Sequence, residues 1–136
     1  MNDDLFARLN RSFEKQNFMK LLGVKLESAK PGEVILTCVN REELSQQLGA
    51  MHGGAIAAVG EAACAYAAMT AADESTEMIA AEFKIDFFRR VTGKEIEAVG
   101  SVIHAGRRLI TSEAKIYDKE SGEQAAQLIG TIVPVK

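Results

Sequence analysis

Apolar residues recur along this chain with two periods. Between Asp4 and Leu22, Leu5, Leu9 and Phe13 fall four apart, and Gln16 continues the stripe. Phe6 and Phe18-Met19 flank it, while Arg8, Arg11, Glu14 and Lys15 take the opposite face. That spacing predicts one amphipathic helix, capped by Asn2 or Asp3 and ended by Gly23. The period then drops to two. Val24 to Ala29 and Val34 to Val39 read as strands around a Lys30-Pro31-Gly32-Glu33 turn. Asn40 to Leu44 reads as a helical turn capped by Asn40, with Glu42 and Glu43 in its first turn. After a loop over Ser45 to Met51, His52-Gly53-Gly54 opens a long apolar helix that runs to about Ala71 and closes at Asp73-Glu74-Ser75. Beyond it Ile79, Ala81, Phe83, Ile85 and Phe87 alternate with polar residues and predict one face of a strand. Ile96 to Ile103, Leu109 to Tyr117 and Gln124 to Val135 are three more strands. The breaks at Val91 to Lys94, Ala105 to Arg108 and Lys119 to Gly122 each contain Gly, so the last four strands are expected to be joined by hairpins in an antiparallel sheet.

The predicted class is α+β: a curved antiparallel sheet of about six strands wrapped around one long central helix, plus an N-terminal helix. A helix apolar nearly all round must be buried nearly all round, and its alanines let backbone approach closely. At 136 residues the chain is expected to be one domain, with residues 1–20 as the N-terminal helix and 21–136 as the core. A net charge of −3 leaves no electrostatic footprint for nucleic acid. Cys38 and Cys64 match no metal-ligand spacing and no disulfide framework, which fits a reducing, cytoplasmic setting. The N-terminus is acidic and lacks the pattern of a signal peptide. The Ala-rich segment from Gly53 to Ala72 has Gly60-Glu61 at its centre and no Leu, which argues against a membrane span.

Glu61 is the one charge in that segment. A carboxylate in an apolar helix costs several kcal/mol unless it is paired, protonated or used. Its helix opens on Gly53-Gly54, whose N–H groups at a helix start suit developing negative charge. Glycine there leaves room for an incoming carbonyl.

Four segments, taken in order, resemble the hotdog fold and specifically its acyl-CoA thioesterases of the phenylacetate-pathway and 4-hydroxybenzoyl-CoA type. They are Gly49-Ala50-Met51-His52-Gly53-Gly54 with the acid at Glu61, the strand Glu82 to Phe88, His104-Ala105-Gly106-Arg107-Arg108, and Gly130-Thr131. The resemblance covers roughly residues 20 to 135. It implies a helix carboxylate eight residues after the first Gly of His-Gly-Gly, here Glu61, and a Gln or Asn seven residues before that Gly, here Gln46. A Ser or Thr that one branch carries on the following strand has no counterpart in Ile79-Ala80-Ala81; Ser75 and Thr76 come too early.

The implied activity is hydrolysis of an acyl-CoA to free acid and CoA. The Gly53 N–H, with that of Gly54 nearby, would hold the thioester oxygen, and Glu61 would act as general base or nucleophile. Gln46 would hold the water or the carboxylate, and His52 would orient the loop more than act as a base. Arg90, Phe87, His104, Gly106, Arg107 and Arg108 are candidates for substrate or CoA contact, guanidinium groups suiting phosphates. Arg89 shares the Arg90 cluster, and Val59, Tyr66 and Phe88 are further candidates for shaping the acyl pocket. No metal and no cofactor are expected, CoA being part of the substrate. The expected partners are acyl-CoA and further copies of the chain, as a homodimer doubled to a homotetramer. Two other classes stay open: a non-catalytic acyl-CoA binding module, and a hotdog hydratase or dehydratase, for which His52 and Glu61 are poorly arranged within one chain.

Overall fold

The computed structural model describes residues 3–73 and 76–135. The N-terminal stripe forms two helices rather than one, α1 (Asp3–Phe13) and α2 (Asn17–Leu22). The Lys15 and Gln16 N–H groups close a tight turn onto Ser12 and Phe13 carbonyls, and Gln16 is extended. That kink lets Phe13 and Met19 both reach the core, at 6% and 2% exposure. Gly23 ends α2 at φ 80°, a left-handed cap, with its N–H on the Met19 and Lys20 carbonyls. Strands β1 (Val24–Lys30) and β2 (Glu33–Val39) follow as an antiparallel pair. The turn after β2 is a single 3₁₀ turn, Glu42–Leu44, with Arg41 at its start. Asn40 is not its cap: its Nδ2 donates to the Gly93 carbonyl at 2.9 Å. The central helix α3 is Gly53–Met69, two residues shorter than the apolar run suggests. Thr70 ends it by donating its hydroxyl to the Ala67 carbonyl. Arg8 covers the same end, donating to the Met69, Ala72 and Asp73 carbonyls at 3.0–3.3 Å. Of the expected closing segment, Glu74 and Ser75 lie outside the described residues.

Four further strands, β3 (Glu77–Phe87), β4 (Glu95–Ala105), β5 (Ile110–Asp118) and β6 (Gln124–Val135), complete one antiparallel sheet in the order β1-β2-β4-β5-β6-β3. The expected β3–β4 hairpin is therefore absent: β3 pairs with β6, and residues 88–94 cross to β4. Along that crossing Phe88 N–H donates to Ala125, the Val91 carbonyl accepts from Met51, and the Lys94 carbonyl accepts from Asn40. Gly93 donates to the Asp118 carboxylate at 3.0 Å, and a Cβ on Gly93 would stand 2.1 Å from Asp118 Oδ1. Its glycine serves a close approach, not a tight hairpin.

β3 also departs from simple alternation. Its pairing with β6 shifts between Ala80 and Glu82. This bulge at Ala81 puts Met78 and Ala80, not Ile79 and Ala81, on the inner face with Ile85. Ile79 is 53% exposed as a result.

α3 lies on the inner face of the sheet. A Cβ on Gly100 of β4 would come within 2.2 Å of the Ala63 carbonyl oxygen, so helix and strand meet there backbone to backbone. Val59, Ala63, Cys64, Ala67 and Ala68 are fully buried against Leu36, Ile96, Ile116 and Leu128. Ordered polar contacts bind α1 to this core. Ser12 donates to Glu77 at 2.7 Å, so the Tyr66 hydroxyl donates to Ser12 and accepts from Gln16 Nε2.

Candidate active site

His52 is the N-cap of α3. Its Nδ1 accepts from the Gly54 N–H at 2.7 Å, as a Ser or Asp side chain does at other helix starts. The imidazole is thus the tautomer with its proton on Nε2. This arrangement corrects one expectation: the Gly54 N–H is occupied by His52 and is not a second donor for a substrate. The Gly53 N–H has no acceptor among the described residues.

Gln46 sits beside it. Its Oε1 accepts from the Leu48 N–H at 2.6 Å and the Ala50 N–H at 3.2 Å, and its own N–H donates to the Ala50 carbonyl at 2.8 Å. Gly49, at φ 88°, makes the turn possible. With Oε1 held twice, Gln46 Nε2 remains as a donor without a partner among the described residues. Gln46 and Gly53 line one hollow of ≈ 340 Å³, walled by Ala50, Met51, Ile56, Phe87, Phe88, Val91 and the two arginines Arg89 and Arg90. Arg89 pairs with Glu123 at 2.8 Å, and Arg90 has no such partner among the described residues.

Glu61 opens into a different hollow of ≈ 600 Å³, lined by Gly54, Ala57, Ala58, Ala80, Ala81, Glu82 and Phe83. Gly54, Ala57, Ala58 and Glu61 fall at i, i+3, i+4 and i+7, one face of α3 that the sheet leaves partly open. The helix is therefore buried except along this stripe and at its first residue, Gly53. Glu61 is half-buried and makes no hydrogen bond or ion pair among the described residues. Burial pushes its carboxyl above the usual carboxylate range. Among the described residues no hydroxyl lines this hollow, and Thr76 lines another.

The remaining candidates are elsewhere. Arg107 and Gly106 line a hollow of ≈ 380 Å³ with Ala71, Ala72 and Asp73, at the C-terminal end of α3. That is about 25 Å along the helix from Gly53. His104 and Arg108 are exposed on the same β4–β5 hairpin. Val59 and Tyr66 are core residues, 0% and 4% exposed, and line neither the Gly53 nor the Glu61 hollow. The sequence reading missed the Ala57-Ala58 stripe and Phe83; the i, i+3, i+4, i+7 run of small residues ending at Glu61 was the signal for the stripe.

The sequence profile of the Thioesterase superfamily matches residues 48–125, more than half of the chain, from the loop before α3 to the start of β6. The chain belongs to the Thioesterase superfamily. Its coarse activity is that of a thioester hydrolase. A thioesterase family protein from Silicibacter pomeroyi has the same fold at TM-score 0.91 and 28% identity, covering 96% of this chain and 98% of that one. The PaaI protein of the E. coli phenylacetic acid degradation operon superposes at TM-score 0.88 with 20% identity, over 97% and 94% of the two chains. A Saccharolobus solfataricus relative, named only provisionally as an esterase, is 27% identical over 137 residues, 97% of this chain and 90% of its own. No helix among the described residues is long and apolar enough to cross a membrane.

Proposed function

We propose that this thioesterase hydrolyses an acyl-CoA to the free acid and CoA in the cytoplasm, without a cofactor. The observation that carries the reading is Glu61: a half-buried carboxylate, unpaired among the described residues, facing an open hollow. Such a group destabilises the fold, and its raised pKa makes it a stronger base. In the reaction, Glu61 takes a proton from water as the oxygen adds to the thioester carbonyl, or adds to that carbon itself. The carbonyl oxygen gains charge on the Gly53 N–H, with Gln46 Nε2 beside it. The C–S bond then breaks and the CoA thiolate leaves. In the general-base route it takes back the proton held by Glu61. In the nucleophilic route it takes a proton from water, and the resulting hydroxide cleaves the acyl–Glu61 anhydride, freeing the acid and the carboxylate. Losing one such oxyanion donor costs about 10²–10³ in rate.

Gly53 and Glu61 stand about 12 Å apart along the helix axis and open into separate hollows within one chain. A reacting carbon must lie about 3 Å from both kinds of group. We infer that two copies complete each site, the Gly53 hollow of one facing the Glu61 stripe of the other. Arg90 then receives CoA phosphate at the Gly53 end. Arg107 and Arg108, with His104 and Gly106 of their hairpin, contact CoA from the far end of a second copy.

The test is release of free CoA thiol from a panel of acyl-CoAs by wild type, Glu61→Gln and Glu61→Ala. Wild type is expected to release thiol, and both variants to fold and lose about 10²–10⁴ of the rate. No release from any thioester by wild type would overturn the activity. Near-normal turnover in the variants would overturn the role of Glu61. Loss of an enoyl-CoA chromophore without thiol release identifies a hydratase instead.

A further inference from the structure

We propose that Phe87 is the residue that sets how wide an acyl group can reach the Gly53 amide; this rests on the acyl-CoA thioesterase reading above. Phe87 lies on β3 opposite Ala126 of β6, which is fully buried. Its side chain therefore points to the inner face of the sheet, yet the ring is 50% exposed. The ring stands over Gly53: a Cβ there would lie 3.1, 3.3 and 3.7 Å from Phe87 Cζ, Cε1 and Cε2. No side chain at position 53 coexists with that ring unless the ring moves. The glycine and the phenylalanine are thus one steric unit at the amide that receives the thioester oxygen.

The other large walls of this hollow cannot adjust. Met51, Ile56 and Val91 are 3%, 3% and 0% exposed and belong to the packed core. Phe88 and Arg90 are exposed at the rim, and the three atoms nearest a Cβ at Gly53 all belong to Phe87. Phe87 combines the nearest approach to Gly53, an inward direction and an exposed side chain. Its width, and not the core, decides whether a flat aryl or branched acyl group fits beside the amide. A pocket contact of this size commonly changes selectivity by about 10–200-fold.

The experiment compares kcat/KM for butyryl-CoA and 2-naphthoyl-CoA in wild type, Phe87→Ala, Phe87→Leu and Phe87→Trp. A ratio of two substrates on one preparation cancels any unfolded fraction. The naphthoyl-to-butyryl ratio is expected to rise about tenfold or more in Phe87→Ala, less in Phe87→Leu, and to fall in Phe87→Trp. Binding of the non-hydrolysable thioether analogues of the two substrates, measured by calorimetry, is expected to shift the same way. Turnover by wild type with both ratios unmoved across the variants overturns the role of Phe87 and leaves the thioesterase reading standing. Binding ratios that shift while wild type turns over nothing overturn the hydrolysis and keep Phe87 as the width-setting wall. Neither binding nor turnover by wild type overturns both.

Discussion

Glu61 sets the trade between stability and chemistry in this protein. Its folded pKa is raised by burial, so the fold favours the protonated form. The stability that goes with that protonation is present below the unfolded value of about 4.3 and is lost as pH rises through the folded value. Gln at the same position carries no charge to desolvate. Glu61→Gln is therefore expected to melt above wild type at pH 7.5, with the gap closing as the pH is lowered to about 4. A gap that does not change with pH would mean that Glu61 is solvated in the folded state. The same shift places the acid limb of the rate above the usual carboxylate range, and a pH profile of kcat/KM on wild type reads it directly. One helical turn on, Cys64 is fully buried, with its thiol pushed up to about 12 by burial and by the Glu61 charge. Cys38 is also buried and raised. Neither thiol is expected to react with a disulfide reagent at pH 8 until denaturant is added. A fast stoichiometric reaction in the native protein would contradict this burial. Glu61 was legible in the sequence because a lone charge breaks an apolar run. That His52 orients the loop was expected, but which N–H it caps was not legible, because that depends on the dihedrals at the helix start.

Among the elements, strand periodicity carried most of the fold and failed where one residue was extra. The bulge at Ala81 moves Ile79 from the inner face to the outside and brings Ala80 and Ala81 to the wall of the Glu61 hollow. Small, weakly directional residues gave no warning of it. The crossing at residues 88–94 was read as a hairpin because Gly93 resembles a turn residue, whereas it is required by the Asp118 carboxylate beside it. Gly100 is the corresponding case at the helix–sheet contact. Ala at this position must displace the Ala63 backbone, and overpacking of this kind costs about 1–3 kcal/mol. Gly100→Ala is expected to lower the unfolding free energy by at least that much in a denaturant titration. Gly32→Ala, where a Cβ meets nothing within 4 Å, tests instead the strain of φ 85° alone. An unchanged denaturation midpoint for Gly100→Ala would show that helix and sheet do not touch there.

At the scale of the molecule, β3 is an edge strand paired on one side only. It carries Ile79, Phe83 and Phe87 at 42–53% exposure, with Phe88 just beyond at 55%. Long apolar edges invite pairing with another chain. Beside this edge runs the Gly54-Ala57-Ala58-Glu61 stripe, narrow enough for a second helix to approach. Both features support the pairing of two copies proposed above. Sedimentation at micromolar concentration is expected to show a dimer or larger. Charge placed at the edge by Ile79→Lys is expected to give monomers and to lower kcat/KM by about 10² or more, since each site would lose half its groups. A fully active monomer would rule out the shared site.

What the sequence by itself determined is local. The alternation of the strands, the apolar helix and its lone carboxylate, and the Gly-Gly helix start all follow from side-chain period and from the backbone freedom of glycine. Tertiary structure decided what depends on contacts far apart in the chain. It placed β3 beside β6, put Gly53 and Glu61 in separate hollows, and carried Arg107 to the far end of α3. It also left Glu61 without a partner among the described residues, set His52 on Gly54, and laid Phe87 over Gly53. The physical reason is that period fixes which face a residue takes, whereas distance between faces is fixed only when helix and sheet close on one another.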